Sequence, residues 1–152
     1  MEPNRKILEL EYTQAKQIDY DFLKSIHHEA YRDVVIRQFG EWDENLQDNF
    51  FKNEWDYTKF KTITFQNEVV GYFSLEEEKE NLFLAELVIS NKFQGKGIGS
   101  QVLKSLQSEA KNKSLPIRLQ VLKENNAKSL YLRYGFKQTG ETEIHFLMSW
   151  SV

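Results

Sequence analysis

The stretch Asn91-Lys92-Phe93-Gln94-Gly95-Lys96-Gly97-Ile98-Gly99-Ser100 decides how this chain is read. Its three alternating glycines precede Ile98–Lys113, where Ile98, Val102, Leu103 and Leu106 recur on one helical stripe. Just upstream, Leu82–Ile89 is a nearly continuous apolar run, the pattern of a strand buried on both faces. Residues without side chains let successive backbone N–H groups converge on one point, and the helix N-terminus adds partial positive charge. That combination suits a phosphate. A glycine-rich turn used only for close packing would need no charge bias. Residues 91–113 nevertheless carry Lys92, Lys96, Lys104, Lys111 and Lys113 against Glu109 alone, a net of +4 that leaves −7 on the rest.

Two familiar phosphate motifs fit poorly. A nucleotide P-loop needs Gly-Lys followed by Ser or Thr, and the chain has no such triplet. A dinucleotide fingerprint needs G-x-G-x-x-G, whereas Gly95, Gly97 and Gly99 are spaced G-x-G-x-G. Glu124 could imitate the ribose-binding acid, but the loop lies two-thirds along the chain, behind an antiparallel meander. A Rossmann unit would normally open its domain.

Outward from the loop, Pro116–Leu122 is the next predicted strand, and Asn125–Tyr134 a helix ended by Gly135. Phe136–Thr139 and Ile144–Trp150 close the chain as strands. Toward the N-terminus, Lys61–Phe65 and Val69–Leu75 read as a hairpin around Gln66-Asn67-Glu68. Helical spacing predicts helix from about Asp19 to Gln38, broken into two near Tyr31, with Gly40 as stop. Asp43 could N-cap a short helix through Asn53, and Ile7, Leu8, Leu10 and Tyr12 read as a first strand. This order predicts an α+β fold with a mixed, mostly antiparallel sheet flanked by helices. The strand–loop–helix–strand unit should be a right-handed crossover joining parallel strands.

Composition sets the outer bounds. A length of 152 residues suits one domain spanning 1–152, and 14% aromatic content argues against disorder. With no Cys, thiolate metal sites and Cys nucleophiles are excluded. A net charge of −3 leaves no general nucleic-acid footprint. The most apolar run is too short to cross a membrane, and Met1–Lys6 lacks the apolar region of a secretory signal. The expectation is a soluble, cytoplasmic domain.

The motifs resemble those of the GNAT superfamily of acetyl-CoA-dependent N-acyltransferases. Its loop pattern, Arg/Gln-x-x-Gly-x-Gly/Ala, is similar to Gln94-Gly95-Lys96-Gly97-Ile98-Gly99, and the preceding Leu-x-Val strand to Leu87-Val88-Ile89. Asn125-Asn126-Ala127, Leu130-Tyr131 and Gly135-Phe136 resemble its Asn-x-Ala…Leu-Tyr-x-x-x-Gly-Phe block. Asn91 and Asn126 depart from it, standing where proline is common.

The resemblance implies that Gln94, Gly95, Lys96, Gly97, Ile98, Gly99 and Ser100 wrap the CoA pyrophosphate. It implies that Leu87, Val88 and Ile89 splay from the next strand, so that the central parallel pair opens a V-shaped groove for pantetheine. An amide near Leu87 or Val88 would hold the oxyanion of a tetrahedral intermediate. Asn125 would reach pantetheine, and Tyr131 would protonate the leaving thiolate. Either could instead be structural, as an N-cap and a core aromatic. No metal is implied.

Glu86 is the only charge in Leu82–Ile89, and burying it unpaired would be costly. It is therefore expected at the split and is a candidate general base, unless it pairs with Arg118. Gln120 could hold a catalytic water, His145 is a second base candidate, and Tyr31 and Trp42 are further acceptor-side candidates. His27-His28-Glu29 reads as a solvated face, since adjacent helix residues point about 100° apart. Acids and aromatics share Glu41–Asp56, which suits a cationic amine but suits better a solvated amphipathic helix whose aromatics enter the core. A small-molecule or peptide amine acceptor is expected, with no nucleic acid or membrane partner, and a homodimer is among the states left open. The alternative is a non-catalytic CoA-binding sensor or interaction module.

Overall fold

A computed structural model describes residues 7–152; the hexapeptide read above for a leader lies outside them. The described residues include strand β1 (Leu10–Gln14), then helices α1 (Tyr20–Phe39) and α2 (Glu44–Glu54). The meander β2 (Phe60–Phe65), β3 (Glu68–Glu77) and β4 (Leu82–Ile89) follows, and then α3 (Ile98–Lys113). Strand β5 (Ile117–Leu122), α4 (Ala127–Arg133), β6 (Lys137–Glu141) and β7 (His145–Trp150) complete it. Among the described residues seven strands form one sheet in the order β1-β2-β3-β4-β5-β7-β6, and only the β4–β5 pair is parallel. The α+β expectation is met. Among the described residues no helix is long and apolar enough to cross a membrane.

Local chemistry accounts for the boundaries. Gln66 and Asn67 take left-handed φ values of 52° and 64°, making the tight turn of the β2–β3 hairpin. The Asp43 side chain accepts from the Leu46 amide and starts α2. Gly40, at φ 91°, ends α1. The expected break near Tyr31 does not occur. No Pro or Gly interrupts α1, and its apolar stripe drifts because the helix changes neighbours. Leu23 and Ile26 pack on the sheet, whereas Tyr31 and Val35 line the groove described below.

The sheet carries one apolar cluster on each face. Ile98, Val102, Leu103, Leu106 and Ala110 of α3 are buried on one side. Leu23, Ile26 and Phe51 of α1 and α2 are buried on the other, with Tyr72 and Val88. Each buried Val, Leu, Ile or Phe among them contributes roughly 1.5–3 kcal/mol of burial.

Strand β4 is not uniformly buried on both faces, as its apolar run suggested: Leu82, Leu84 and Val88 are buried, the rest half-buried. A β-bulge explains the pattern. Ser74 pairs with Glu86 but Leu75 pairs with Leu84, so Ala85 is the extra residue and the side-chain alternation inverts there. Leu82, Leu84, Leu87 and Ile89 therefore face α3, while Val88 faces α1. Glu86, two residues before Val88, shares its side.

Candidate active site

Strands β4 and β5 pair only over Leu82–Leu84 and Ile117–Leu119. Beyond the bulge they separate, and two cavities fill the gap. The larger, about 660 Å3, runs along Leu87, Val88 and Ile89 to the glycine loop. The smaller, about 200 Å3, is walled by Glu86, Gln120, His145, Phe50 and His27. Tyr31, Leu87, Asn125, Ala127 and Tyr131 line both, so the cavities meet there.

The larger cavity ends on an anion cradle. Gly95 and Gly97 take φ values of 77° and 86°, conformations that a side chain resists. The first amides of α3, from Ile98 on, have no intrahelical acceptor. A Cβ added at Gly95 would meet nothing within 4 Å, and at Gly99 only Leu130 and Ile89 at ordinary contact distance. Packing therefore does not demand glycine at either position, and the room is available to a ligand. Gln94, Gly95, Gly97, Ile98, Gly99 and Ser100 line this cavity, while Lys96 projects outward.

Gln94 also donates through Nε2 to the Ile89 carbonyl (2.9 Å), bracing the loop against β4. Asn91 uses the N–H that proline lacks to donate to Glu29 Oε1 (3.1 Å), and its side-chain amide donates to the Glu29 carbonyl (3.2 Å). The departure at Asn91 thus ties the loop to α1. Asn125 Oδ1 accepts from the Ala127 amide (2.9 Å), which orients the residue at the junction.

Backbone direction along β4 is set by the ladder. Ser90 N–H donates to Val70 on β3, and the Val88 carbonyl lies where a Gly71 side chain would begin. Alternation then turns the Leu87 and Ile89 backbone groups away from β3, toward the split.

Glu86 sits at the smaller cavity, and among the described residues its polar partners are Tyr72 and His27 rather than Arg118. Its Oε2 accepts from the Tyr72 hydroxyl (3.2 Å), and His27 Nε2 lies 3.6 Å from Oε1. Burial raises the Glu86 carboxyl to about 7; the Tyr72 hydrogen bond opposes this, and the charge of Glu54 adds to it. Burial, with the neighbouring His28, drives His27 down to about 3, so that the His27–Glu86 contact is no ion pair. Burial lifts Tyr131 to about 12 and keeps its phenol protonated, and it lifts Tyr31 as well, helped by Glu86.

Some expectations fail here. His27 and His28 are not a solvated face: both are buried, His27 against Tyr31 and Phe51, His28 against Trp42. Trp42 lines neither cavity. Its indole donates to Glu44 (2.6 Å) and takes Arg32 on its ring. The ligand-type atoms of His28, Glu44 and Asp48 lie within 4.8 Å of one another, but Lys24 and Arg32 pair with the two carboxylates, forming an ion-pair network. Sequence reading missed His27 on the smaller cavity, and Arg37 and Arg133 on the larger. Phe50 and Glu54, from the acid–aromatic stretch Glu41–Asp56, line the smaller cavity.

Comparison with known proteins agrees with this architecture. The model of the Acetyltransferase (GNAT) domain matches residues 27–146. The structure is similar to PaiA N-acetyltransferase from Thermoplasma acidophilum in complex with coenzyme A (18% identity, 95% of this chain and 100% of that one, TM-score 0.78). It is also similar to an acetyltransferase from Thermus thermophilus (20% identity, 96% and 99% covered, TM-score 0.73). A third likeness is to the ribosomal-protein-S18-alanine N-acetyltransferase of Escherichia coli (15% identity, 95% and 94% covered, TM-score 0.64). No curated protein matches by sequence. With a parallel pair that parts at a bulge, a glycine cradle before α3 and the matching domain model, the chain belongs to the GNAT family of acetyltransferases.

Proposed function

We propose that this protein transfers an acetyl group from acetyl-CoA to a primary amine of a small molecule or peptide, by direct attack of the amine. The meeting of the two cavities at Leu87 and Tyr131 carries this reading. One arm, with its glycine cradle and open β4 edge, has the length and donors for a phosphate-bearing chain; the other holds a carboxylate of raised pKa.

In this reading the amides from Gly95 to Ser100 hold the pyrophosphate, and the β4 edge with Asn125 holds the pantetheine arm. The Leu87 N–H, facing the split, meets the acetyl oxygen as it becomes an oxyanion. Glu86 takes a proton from the acceptor ammonium, and Tyr131 gives its O–H proton to the departing thiolate. Tyr31, Gln120 and His145 shape the acceptor cavity, and the charges of Glu54 and Glu86 favour a cationic acceptor. Trp42 has no part in it. Both arms come from one copy of the chain, so the reading holds for a monomer or a homodimer. The absence of cysteine is in keeping with a cytoplasmic setting.

The test is thiol release from acetyl-CoA with matched cationic, neutral and anionic amines, alongside thermal shifts with acetyl-CoA and NAD. Turnover strongest with cationic amines is expected. A shift with acetyl-CoA but no turnover would favour a binding module, and a shift with NAD alone a nucleotide site.

A further inference from the structure

We propose that His27, His28 and Asp48 form a proton relay that carries the acceptor's proton from Glu86 away from the filled site. The proposal rests on the reading of Glu86 as the base, and deepens it.

The geometry is a nearly continuous line of donors and acceptors across α1 and α2. His28 Nε2 lies 2.7 Å from Asp48 Oδ1, and His27 Nδ1 lies 2.9 Å from His28 Nδ1. His27 Nε2 then faces Glu86 Oε1 at 3.6 Å, slightly beyond a direct hydrogen bond and within reach of a rotation of the carboxyl group. Both rings are buried, whereas Asp48 reaches solvent. The partners dictate the tautomers. A carboxylate only accepts, so His28 carries its proton on Nε2 and offers Nδ1 as acceptor. His27 must then donate from Nδ1, which leaves Nε2 bare and aimed at Glu86. That bare nitrogen is a receiver for the proton on Glu86.

Other charged and titratable groups frame the line without interrupting it. Glu86 is faced by Tyr72 from β3, by Tyr31 from α1 and by Glu54 from α2. Asp48 is faced by Lys24 (3.5 Å), and the adjoining Glu44 is paired with Arg32 (3.8 Å).

Converting R–NH3+ and the acetyl thioester into an amide and a thiol leaves one proton over. Glu86 accepts one proton from the ammonium; the C–N bond forms, the C–S bond breaks, and a second proton reaches sulfur through Tyr131. With substrates in both cavities, the Glu86 proton passes to His27 Nε2 as His27 Nδ1–H passes to His28 Nδ1 and His28 Nε2–H passes to Asp48. His28 and Lys24 hold Asp48 below the usual carboxyl range, and it releases the proton to solvent. After the products leave, Asp48 takes up a proton from solvent for the reverse hop, and the His27 Nε2 proton is lost to water in the opened cavity, which restores both tautomers. The net result is one proton delivered to solvent.

Nitrogen-15 NMR of the free protein at neutral pH should find His27 protonated on Nδ1 and His28 on Nε2. His27 protonated on Nε2 instead would overturn the relay without any variant. Asp48→Asn should lower kcat about tenfold while KM for both substrates stays within about twofold. Its rate should recover as imidazole buffer is raised, which a merely structural histidine pair would not allow. Folded Asp48→Asn and His28→Asn proteins with full kcat and buffer-independent rates would overturn the relay. If Glu86→Gln is impaired in that case, the base reading survives it; if Glu86→Gln also keeps full rate, both fall.

Discussion

The Tyr72 hydroxyl donates to Glu86 across neighbouring strands, at 3.2 Å, and among the described residues it is the single side-chain hydrogen bond holding a half-buried carboxylate at the mouth of the split. One donor does not offset the loss of water, and burial leaves the Glu86 carboxyl at about 7. The folded state therefore binds a proton more tightly than the unfolded chain. Stability from this group is greatest below the ordinary carboxyl value of 4.5, falls as pH rises, and is lost above about 7. Glu86→Gln imitates the protonated form, accepting from Tyr72. It should raise Tm at pH 8 relative to the parent, with the gain vanishing at pH 4, while abolishing the activity limb near pH 7. Thermal melts and kcat/KM profiles across that range measure both.

Gly99→Asp tests the cradle. A Cβ there meets only Leu130 at 3.7 Å and Ile89 at 3.9 Å, so the fold should accommodate it. A carboxylate at the α3 N-terminus should repel a pyrophosphate and cost tenfold or more in acetyl-CoA affinity, on the order of 1.4 kcal/mol. Calorimetry on the folded variant decides, and unchanged affinity would remove the loop from the site. Gly97→Ala is the poorer probe, because φ 86° strains any side chain whether or not a ligand is present.

Tyr131→Phe keeps the ring, its 5.6 Å packing on Phe136 and its burial. Only the O–H is lost. The phenol, raised to about 12, is protonated throughout the working pH range and ready to donate. A fall in kcat of about 10²-fold with acetyl-CoA affinity intact is expected, since a thiolate leaves tolerably unaided. Weakened acetyl-CoA binding at unchanged kcat would make Tyr131 a binding residue instead.

Gly71→Ala should damage the fold directly. Its Cβ would lie 2.2 Å from the Val88 carbonyl oxygen, a backbone atom that cannot swing aside. A loss of about 1–3 kcal/mol is expected for such overpacking, read as a lowered Tm. If strand β4 yields instead, the split changes width, and acetyl-CoA binding falls along with stability.

What could be read in the sequence was whatever depends on near neighbours along the chain. The α3 stripe, the Gln66-Asn67 turn, the Asp43 cap and the glycine loop are local signals, and each is found where expected. The pairing of β4 with β5 followed from handedness rules. Features fixed by distant partners were hidden. Nothing near Ala85 marks a bulge, because the mismatch lies in how β3 pairs with it. His27 and His28 looked solvated because helical geometry aims them apart, yet α2 closes over both and supplies Asp48. Trp42 had the composition of a cation-binding residue, but its indole is occupied with Glu44 and its ring with Arg32.

The extra residue at Ala85 has a genetic consequence. Deleting it would leave Glu86 opposite Ser74 and Leu84 opposite Leu75, so each side chain would keep its side of the sheet and the ladder would run regularly from Leu82 to Ile89. What would go is the bend that a bulge puts into its strand, at the point where β4 stops pairing with β5. No point substitution in β4 removes that bend, since a change of residue type leaves the count intact. A single-codon deletion there would narrow the split while keeping its lining residues, whereas missense changes only tune it.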